Sequence, residues 1–235
     1  YLDDPVSVLD YASLYPSSII EKNISHETFI CTQEEKDENP EKYEWMEEDK
    51  YEKIAYDDYI YELKGKTTHK KKANTETICY FSKPKNEKGI IPTILGTLLE
   101  QRRLTRKRIK ETDDEDKKKV LDGLQLAYKV TANSVYGQMG AKTSSISFKK
   151  LAACTTAIGR QRIYDAEKGV KEWAEDEGYN IPEVIYGDTD SVFVKFSRIH
   201  HKSGKLLEGK EALRYCIDSG VKAGEWITKH RMNHP

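Results

Sequence analysis

Two aspartates separated by one residue, Asp188 and Asp190, lie between two short runs of β-branched and aromatic residues, Glu183–Tyr186 and Ser191–Phe196. Such runs on either side of a tight connection favour a β-hairpin. Residues two apart on an extended chain face the same side, so the two carboxylates repel each other unless a cation lies between them. The pattern predicts a hairpin with Mg²⁺ at its tip, while an aspartate-rich turn without a metal explains the same residues.

A third carboxylate, Asp10, ends the apolar run that begins at Val6. The residues that follow, Ser13 to Ile20, include Pro16 where a proline fits the first turn of a helix. We therefore expect Asp10 at a junction between a strand and a helix. An aspartate in that place is most often a helix cap, and its own surroundings in the sequence do not separate a cap from a metal ligand.

Helical spacing of apolar residues predicts two long helices, Pro92–Lys110 and Lys117–Tyr136, joined by the charged turn Asp113–Asp116. A connection this short predicts an antiparallel helical hairpin. Two more helices are expected, one over Leu151–Glu177 and one over Gly209–Lys229. For the last helix we expect an apolar face made of Leu213, Ile217, Val221 and Ile227.

Polar residues form a stripe on each helix of the predicted hairpin. Lys129, Asn133 and Tyr136 share one face of the second helix, and Arg102 and Arg106 repeat the same spacing on the first. A cation, an amide and an aromatic ring in one stripe of the second helix suit a phosphate, a sugar and a base. Arginine binds phosphate with a planar fork and lysine as a point charge, so the two helices could present these cations to a common centre. A solvated helix face explains either stripe taken alone.

Charge is unevenly distributed along a chain whose net charge is −1. Residues 33–64 contain 13 acidic and 5 basic side chains, whereas residues 101–150 contain 13 basic and 6 acidic ones. An anionic partner would meet the second stretch. Scattered cysteines without zinc spacing indicate reduced thiols, and neither a membrane span nor a signal peptide is evident.

The acidic segment Gln33–Lys64 has few aliphatic residues and predicts a surface elaboration without an independent core, with a short strand near Tyr59–Leu63. The lysine-containing stretch Thr67–Asn74 is typical of an exposed turn, and Thr77–Ser82 of a strand.

Three blocks of the sequence resemble, in order and in residue type, the three polymerase motifs of the family B DNA polymerases. These blocks are Asp10–Ser17, Lys129–Gly137 and Tyr186–Ser191. The segment Ile91–Arg106 also resembles the first helix of the fingers domain in that family. The resemblance is to replicative polymerases of eukaryotes and large DNA viruses, and it covers most of the chain apart from residues 32–88.

The resemblance implies an α+β fold, with a polymerase palm of antiparallel sheet and flanking helices and a two-helix antiparallel fingers hairpin. Residues 1–90 would form the first part of the palm with the acidic insertion 33–64, residues 91–138 the fingers, and residues 139–235 the second part of the palm. We expect a catalytic-core fragment of a larger polymerase, without the exonuclease, N-terminal and thumb domains. Proofreading is therefore not expected of this chain.

The resemblance also assigns site residues. The catalytic carboxylates would be Asp10, Asp188 and Asp190. Two Mg²⁺ ions would be held by Asp10, the backbone carbonyl of Tyr11, Asp188 and Asp190, with Asp188 in a supporting role. The residues that would bind the nucleotide are Ser13, Leu14, Tyr15, Arg102, Arg106, Lys129 and Asn133. The residues that would contact the template or the nascent base pair are Tyr136 and Gly137.

The implied activity is template-directed DNA synthesis, by transfer of a nucleotide from a deoxynucleoside triphosphate to a primer 3′-hydroxyl. Primer-template DNA and deoxynucleoside triphosphates would be its partners, with a processivity factor bound through other regions of the protein and no membrane. Such a protein is expected inside the cell, in the nucleus or at a cytoplasmic site of viral replication. A two-metal nuclease and an inactive nucleic-acid-binding module are the competing hypotheses, and neither explains the cationic stripes together with all three carboxylates.

Overall fold

The computed structural model of the chain describes residues 4–64, 67–85 and 88–231. The strands are β1 (Val6–Asp10), β2 (Phe29–Thr32), β3 (Tyr51–Lys64), β4 (Thr67–Ser82), β5 (Glu183–Asp188) and β6 (Ser191–Lys195). The α-helices are α1 (Leu14–Glu21), α2 (Gln33–Glu38), α3 (Ile90–Glu111), α4 (Glu115–Gly140), α5 (Lys149–Asp176) and α6 (Gly209–Arg231). Single 3₁₀ turns lie at Pro40–Tyr43 and Glu48–Lys50. The α+β fold class predicted from the sequence is confirmed.

The chain divides into two compact units, each of which is described separately. The first unit comprises Tyr1–Leu14 and Gly159–Pro235, and the second comprises Tyr15–Ile158. No helix among the described residues is long and apolar enough to cross a membrane. All four cysteines are buried and free of disulfides, as the sequence predicts for reduced thiols.

The first unit contains an antiparallel sheet with the strand order β1–β6–β5. The central strand β6 alternates buried and partly buried residues, with Val192 and Val194 almost fully buried. These valines pack with Trp173 of α5 in the core of the unit. The predicted hairpin between residues 183 and 196 is confirmed as β5 and β6, and β1 forms an edge of the sheet.

Helix α6 packs against β1 through small residues, which contradicts the predicted apolar face. Leu213, Ile217 and Val221 are 53%, 60% and 55% exposed, and only Ile227 of the predicted set is buried. The buried residues of α6 are Ala212, Cys216, Ser219, Gly220, Ala223 and Ile227. A Cβ atom on Gly220 would lie 2.9 Å from the Cβ atom of Ser7, so close packing on the strand selected small side chains over large ones.

The second unit combines a sheet of order β2–β4–β3 with the α3–α4 hairpin. The helices pack side by side and are joined by three residues, which confirms the predicted antiparallel helical hairpin. Its buried core includes Ile24, Cys79, Phe81, Leu95 and Leu151.

The β3–β4 hairpin overturns two predictions. Strand β3 has 14 residues and β4 has 16, so the short strand near Tyr59 was wrong in length and the turn at Thr67–Asn74 was wrong in kind. Lys71 pairs with Ile60 and Lys72 with Tyr59, while the Lys72 ammonium lies 2.8 Å from the carboxylate of Asp57. The lysine run has no alternation of its own, and its strand conformation comes from pairing with the tyrosine-rich β3.

The acidic segment is anchored to this sheet by aromatic and sulfur-containing side chains. Tyr43 and Met46 are buried and cluster with Cys31 of β2 and Tyr80 of β4. Helix α2 begins with a capping box in which Thr32 and Glu35 exchange side-chain and backbone hydrogen bonds. Aromatic rings therefore do the packing that the scarce aliphatic residues do not.

Candidate active site

Asp10, Asp188 and Asp190 of the first unit lie at one end of its sheet. Asp10 on β1 and Asp188 on β5 both pair with Ser191, the first residue of β6. Directly opposite residues of an antiparallel ladder project from the same face of the sheet. The register therefore places Asp10 and Asp188 on one face with β6 between them, and their backbones are about 10 Å apart at the usual strand spacing.

Thr189 and Asp190 connect β5 to β6 through a strained turn. Thr189 has a φ of 47°, and the amide of Asp190 donates to the carbonyl of Asp188 at 2.5 Å. This is the bond of a γ-turn whose central residue is left-handed, a conformation that β-branched residues rarely adopt. Such strain costs about 1–3 kcal/mol, and it is located between the two aspartates that the sequence singles out.

Asp190 is positioned by its backbone on both sides. Its amide binds Asp188, and its carbonyl accepts from the amide of Tyr11 at 2.8 Å, which ties the turn to the end of β1. The Asp188 carboxylate accepts from the Thr189 hydroxyl at 3.1 Å, whereas no described residue hydrogen-bonds or pairs with the Asp190 carboxylate. The Asp190 oxygens are therefore available to a cation.

The donors at this end of the sheet are all oxygen atoms. Within residues 4–64, 67–85 and 88–231, no three His, Cys, Asp or Glu side chains lie close enough to hold a metal ion by themselves. Mg²⁺ usually takes one or two protein carboxylates and completes its shell with water and substrate phosphates. The donor chemistry of Asp10, Asp188 and Asp190 fits that mode of binding.

Tyr11 fixes the peptide that follows Asp10. Its hydroxyl donates to the carbonyl of Arg162 on α5 at 2.7 Å. Burial raises the pKa of Tyr11 to about 12, against a lowering by the charge of Arg162. The phenol is therefore neutral at physiological pH and holds the backbone carbonyl that the sequence predicts as a ligand.

A groove of about 500 Å³ runs along β1 and α6 in the first unit and reaches Asp10 and Tyr11 at one end. Its walls are mainly apolar and include Val8, Ile217 and Val221. Among the described residues, Asp10 is the one charged side chain that lines it.

The predicted cations of the second unit lie on the α3–α4 hairpin. Arg102 is half-buried, and its Nε donates to Oε1 of Gln125 on α4 at 3.3 Å. Burial and the neighbouring charge of Arg106 lower the pKa of Arg102. Arg106 and Lys129 are exposed, and neither forms an ion pair with any described residue.

Two other cations of α3 form ion pairs within their own helix. Arg103 lies 2.7 Å from Glu100, and Lys107 lies 3.6 Å from Glu111. Exposed pairs of this kind contribute little to stability, but they reduce the charge offered to a ligand. Arg106 and Lys129 form no such pair with any described residue, so their charge remains available to an anion.

Two tyrosines from the first two sequence blocks stack on each other in the second unit. The rings of Tyr15 on α1 and Tyr136 on α4 have centroids 4.3 Å apart and planes 25° apart. The Tyr136 hydroxyl lies 3.3 Å from Oγ1 of Thr156, which donates its own proton to the carbonyl of Ala152 at 2.6 Å. Thr156 therefore accepts from Tyr136 and fixes the ring on which Tyr15 rests.

The remaining predicted residues differ in exposure. Asn133 and Gly137 are exposed on α4, and a Cβ atom on Gly137 would meet no other atom within 4 Å. Ser13 turns the chain into α1 with a φ of 61°. Leu14 is buried, so a role in nucleotide binding would fall to its backbone.

Two residues that contact predicted site residues were not identified from the sequence, namely Gln125 beside Arg102 and Thr156 beside Tyr136. Gln125 lies four residues before Lys129 and so belongs to the same helical stripe. This spacing could have identified Gln125 from the sequence. Thr156 lies on a different helix from Tyr136, and no sequence spacing connects the two. Only the folded chain brings them together.

The family model for DNA polymerase family B matches residues 1–213. The chain therefore belongs to DNA polymerase family B, which confirms the resemblance seen in the sequence. Its similarity extends to the DNA polymerase of Pyramimonas orientalis virus, at 38% identity over 97% of this chain and 21% of that protein. The DNA polymerase of Phaeocystis pouchetii virus is 39% identical over 97% of this chain and 24% of that protein.

Cellular relatives and a solved structure agree with this membership. The DNA polymerase delta catalytic subunit of Candida albicans is 33% identical over 97% of this chain and 18% of that protein. The family B DNA polymerase from the hyperthermophilic archaeon Pyrobaculum calidifontis matches with a TM-score of 0.51 and 30% identity, over 83% of this chain and 20% of the other. The chain thus spans about a fifth of the length of its relatives.

Proposed function

We propose that this chain carries the active site for template-directed DNA synthesis in a family B polymerase. The reaction joins the primer 3′-oxygen to the α-phosphorus of a deoxynucleoside triphosphate and releases pyrophosphate. The observation that carries the proposal is the acidic end of the sheet. There Asp190 is held by backbone hydrogen bonds on both sides while its carboxylate remains available, on the same sheet end as Asp10 and Asp188.

Asp10 and Asp190 would be the principal ligands of two Mg²⁺ ions, aided by the carbonyl of Tyr11, with Asp188 in support. Bound Mg²⁺ would lower the pKa of the primer hydroxyl and neutralise charge on the phosphate oxygens. The protein's own contribution is to hold the carboxylates in place before substrate arrives. The strained turn at Thr189 and the bond from Tyr11 to Asp190 serve that purpose.

Arg102, Arg106 and Lys129 would bind the β- and γ-phosphates of the incoming nucleotide. Fixed cations in that place meet the charge that develops on the leaving pyrophosphate. The exposure of Arg106 and Lys129 without described ion pairs supports this role. Ser13 and Leu14, where the chain enters α1, would contribute backbone groups to nucleotide binding.

Tyr15 would lie under the deoxyribose and exclude a 2′-hydroxyl by its bulk. Its stack on Tyr136, which Thr156 holds in turn, supports a rigid barrier at that position. Asn133 and Tyr136 would line the nascent base pair. Gly137 would let the template strand approach α4, since the space beside it is open.

In this proposal residues 1–90 and 139–235 are parts of the palm and residues 91–138 are the fingers. The other domains of the full protein would supply the remaining contacts to primer-template DNA and to a processivity factor. The place of action would be inside the cell, in the nucleus or at a cytoplasmic site of viral replication.

The decisive experiment is primer extension with Mg²⁺ by the full-length polymerase and by its Asp190→Ala variant. We expect the variant to bind primer-template DNA as the parent does and to lose extension. Equal extension by both proteins would refute the proposed site. Loss of DNA binding together with extension would favour the alternative, in which the acidic end of the sheet has a structural role.

A further inference from the structure

Three polar side chains form a hydrogen-bonded chain across the α3–α4 hairpin. Nε of Arg102 donates to Oε1 of Gln125 at 3.3 Å, and Nε2 of Gln125 donates to Oδ1 of Asp122 at 3.0 Å. We propose that Gln125 is a positioning residue, which sets the orientation of the Arg102 guanidinium for the triphosphate of the incoming nucleotide. This inference rests on the proposed function of Arg102.

The two bonds leave only one orientation for the Gln125 amide. Rotating the amide by half a turn would place its NH₂ group against the Arg102 donor and its oxygen against the Asp122 carboxylate. Both contacts would then be repulsive. Asp122 therefore fixes the amide so that its oxygen always faces Arg102, although Asp122 itself is exposed and lies one step away from the guanidinium.

A bond at Nε orients the whole guanidinium, because Nε lies at the base of its planar fork. Arginine recognises phosphate through the direction of that fork as well as through its charge. An arginine side chain that rotates freely loses conformational entropy when it binds phosphate, whereas one that is already oriented loses less. Gln125 would therefore raise nucleotide affinity without touching the nucleotide.

The neutral amide suits this task better than a carboxylate would. Burial and the nearby Arg106 both disfavour the charge on Arg102, so the guanidinium needs an acceptor. A carboxylate in place of Gln125 would satisfy the donor and also cancel the positive charge that a phosphate requires. The amide oxygen satisfies the donor and leaves the charge.

Helical spacing places Gln125 in the functional stripe of α4. Gln125, Lys129 and Asn133 follow each other at intervals of four residues, so all three lie on one face of the helix. Lys129 and Asn133 are proposed to contact the nucleotide directly. Gln125 continues the stripe by one turn and reaches α3 instead.

The test uses the full-length polymerase with Gln125→Met, which keeps the length of the side chain and removes its hydrogen bonds. We expect the KM for the deoxynucleoside triphosphate to rise about fivefold with kcat within about twofold. Gln161→Met is the matched control, because Gln161 on α5 also donates to an aspartate, Asp165, at 3.1 Å, and its oxygen accepts from no arginine among the described residues. The control should leave KM unchanged.

A double-mutant cycle with Arg102→Ala separates positioning from general stability. If Gln125 acts through Arg102, Gln125→Met adds no further rise in KM once Arg102 is alanine. A structural role would instead lower the melting temperature and affect KM equally in both backgrounds, which would overturn the inference. Gln125→Glu should raise KM at least as much as Gln125→Met, since it neutralises the guanidinium while keeping the acceptor.

The outcomes distinguish this inference from the function on which it rests. If Arg102→Ala leaves the KM for nucleotide unchanged, the proposed role of Arg102 fails and Gln125 has nothing to position. If Arg102→Ala raises KM while Gln125→Met and Gln125→Glu do not, only the positioning role is refuted. If Arg102→Ala and Gln125→Met each raise KM and the double variant shows no further rise, the role of Arg102 and the positioning role of Gln125 are both supported.

Discussion

In the β1–β6–β5 sheet the backbone positions the carboxylates, whereas in the α3–α4 hairpin a side-chain hydrogen bond reaches Arg102. Ladder register and two backbone hydrogen bonds place Asp10, Asp188 and Asp190. On the helices, Nε of Arg102 donates to the side chain of Gln125. Backbone positioning leaves little freedom to compensate for a lost carboxylate, so the acidic end should respond steeply to mutation and the cationic end in graded steps.

The steepest response should come from the carboxylates themselves. We expect Asp10→Asn to lower the single-turnover rate of the full-length polymerase about a thousandfold. Asp188→Asn should lower it only about tenfold, since its carboxylate already accepts the Thr189 hydroxyl and acts in support. Asp218→Asn, an exposed change on α6, is the control and should be neutral. Equal losses for Asp10 and Asp188 would contradict the ranking.

Tyr15 should govern the selection of deoxyribonucleotides over ribonucleotides. Replacing it with alanine should reduce discrimination between deoxyribonucleotides and ribonucleotides about a hundredfold, measured as the ratio of the two kcat/KM values. Thr156→Val should reduce discrimination about fivefold, because Tyr136 loses the acceptor that holds it. Thr156→Ser keeps that acceptor and should behave as the parent. If the Tyr15→Ala variant gains no ribonucleotide incorporation, Tyr15 does not exclude the 2′-hydroxyl.

A pair of glycines on α4 tests whether the helical face meets a ligand. Neither Gly123 nor Gly137 would bring a Cβ atom within 4 Å of another atom, so alanine should stabilise α4 by about 0.5–1 kcal/mol at either position. Amide hydrogen exchange in α4 measures that gain. Only Gly137→Ala should slow extension, by about tenfold, because only there would the template strand approach. Equal rates for the two variants would show that the template does not approach Gly137.

The smallest expected effect concerns the strain stored in the acidic hairpin. Thr189→Gly should relieve the unfavourable φ and stabilise the hairpin by about 1 kcal/mol, after subtraction of the entropy that glycine loses. Slower hydrogen exchange at the amides of β6 would report this gain. Extension should fall at the same time, since the substitution removes the hydroxyl that donates to the Asp188 carboxylate. Faster exchange would mean that the left-handed conformation is not strained.

The local features of the site were predictable because each is encoded within a few residues. The acidic hairpin follows from two β-forming runs on either side of Asp188–Asp190, and the α3–α4 hairpin follows from apolar spacing around a charged turn. Membership of family B was likewise apparent from three short blocks. The structure confirms these elements to within a few residues at their ends.

Contacts between distant elements were not predictable from spacing. The buried face of α6 was wrong because the close approach of Gly220 to Ser7 selects small residues, which a search for large apolar ones misses. The strand at Lys70–Lys72 was missed because its conformation depends on pairing with β3. In both cases the partner segment, rather than the segment itself, determined the outcome.

The sequence by itself determined which functional groups this chain carries: three carboxylates, cations on two helices, and two tyrosines at positions that resemble the motifs of family B polymerases. Only the tertiary structure decided how those groups are held. It placed Asp10 and Asp188 opposite one serine, stacked Tyr15 on a ring whose hydroxyl contacts Thr156, and joined Arg102 to Gln125 by a hydrogen bond. Residue types fix which charges and rings are present, whereas hydrogen bonds between remote segments form only when folding brings their donors and acceptors within about 3 Å.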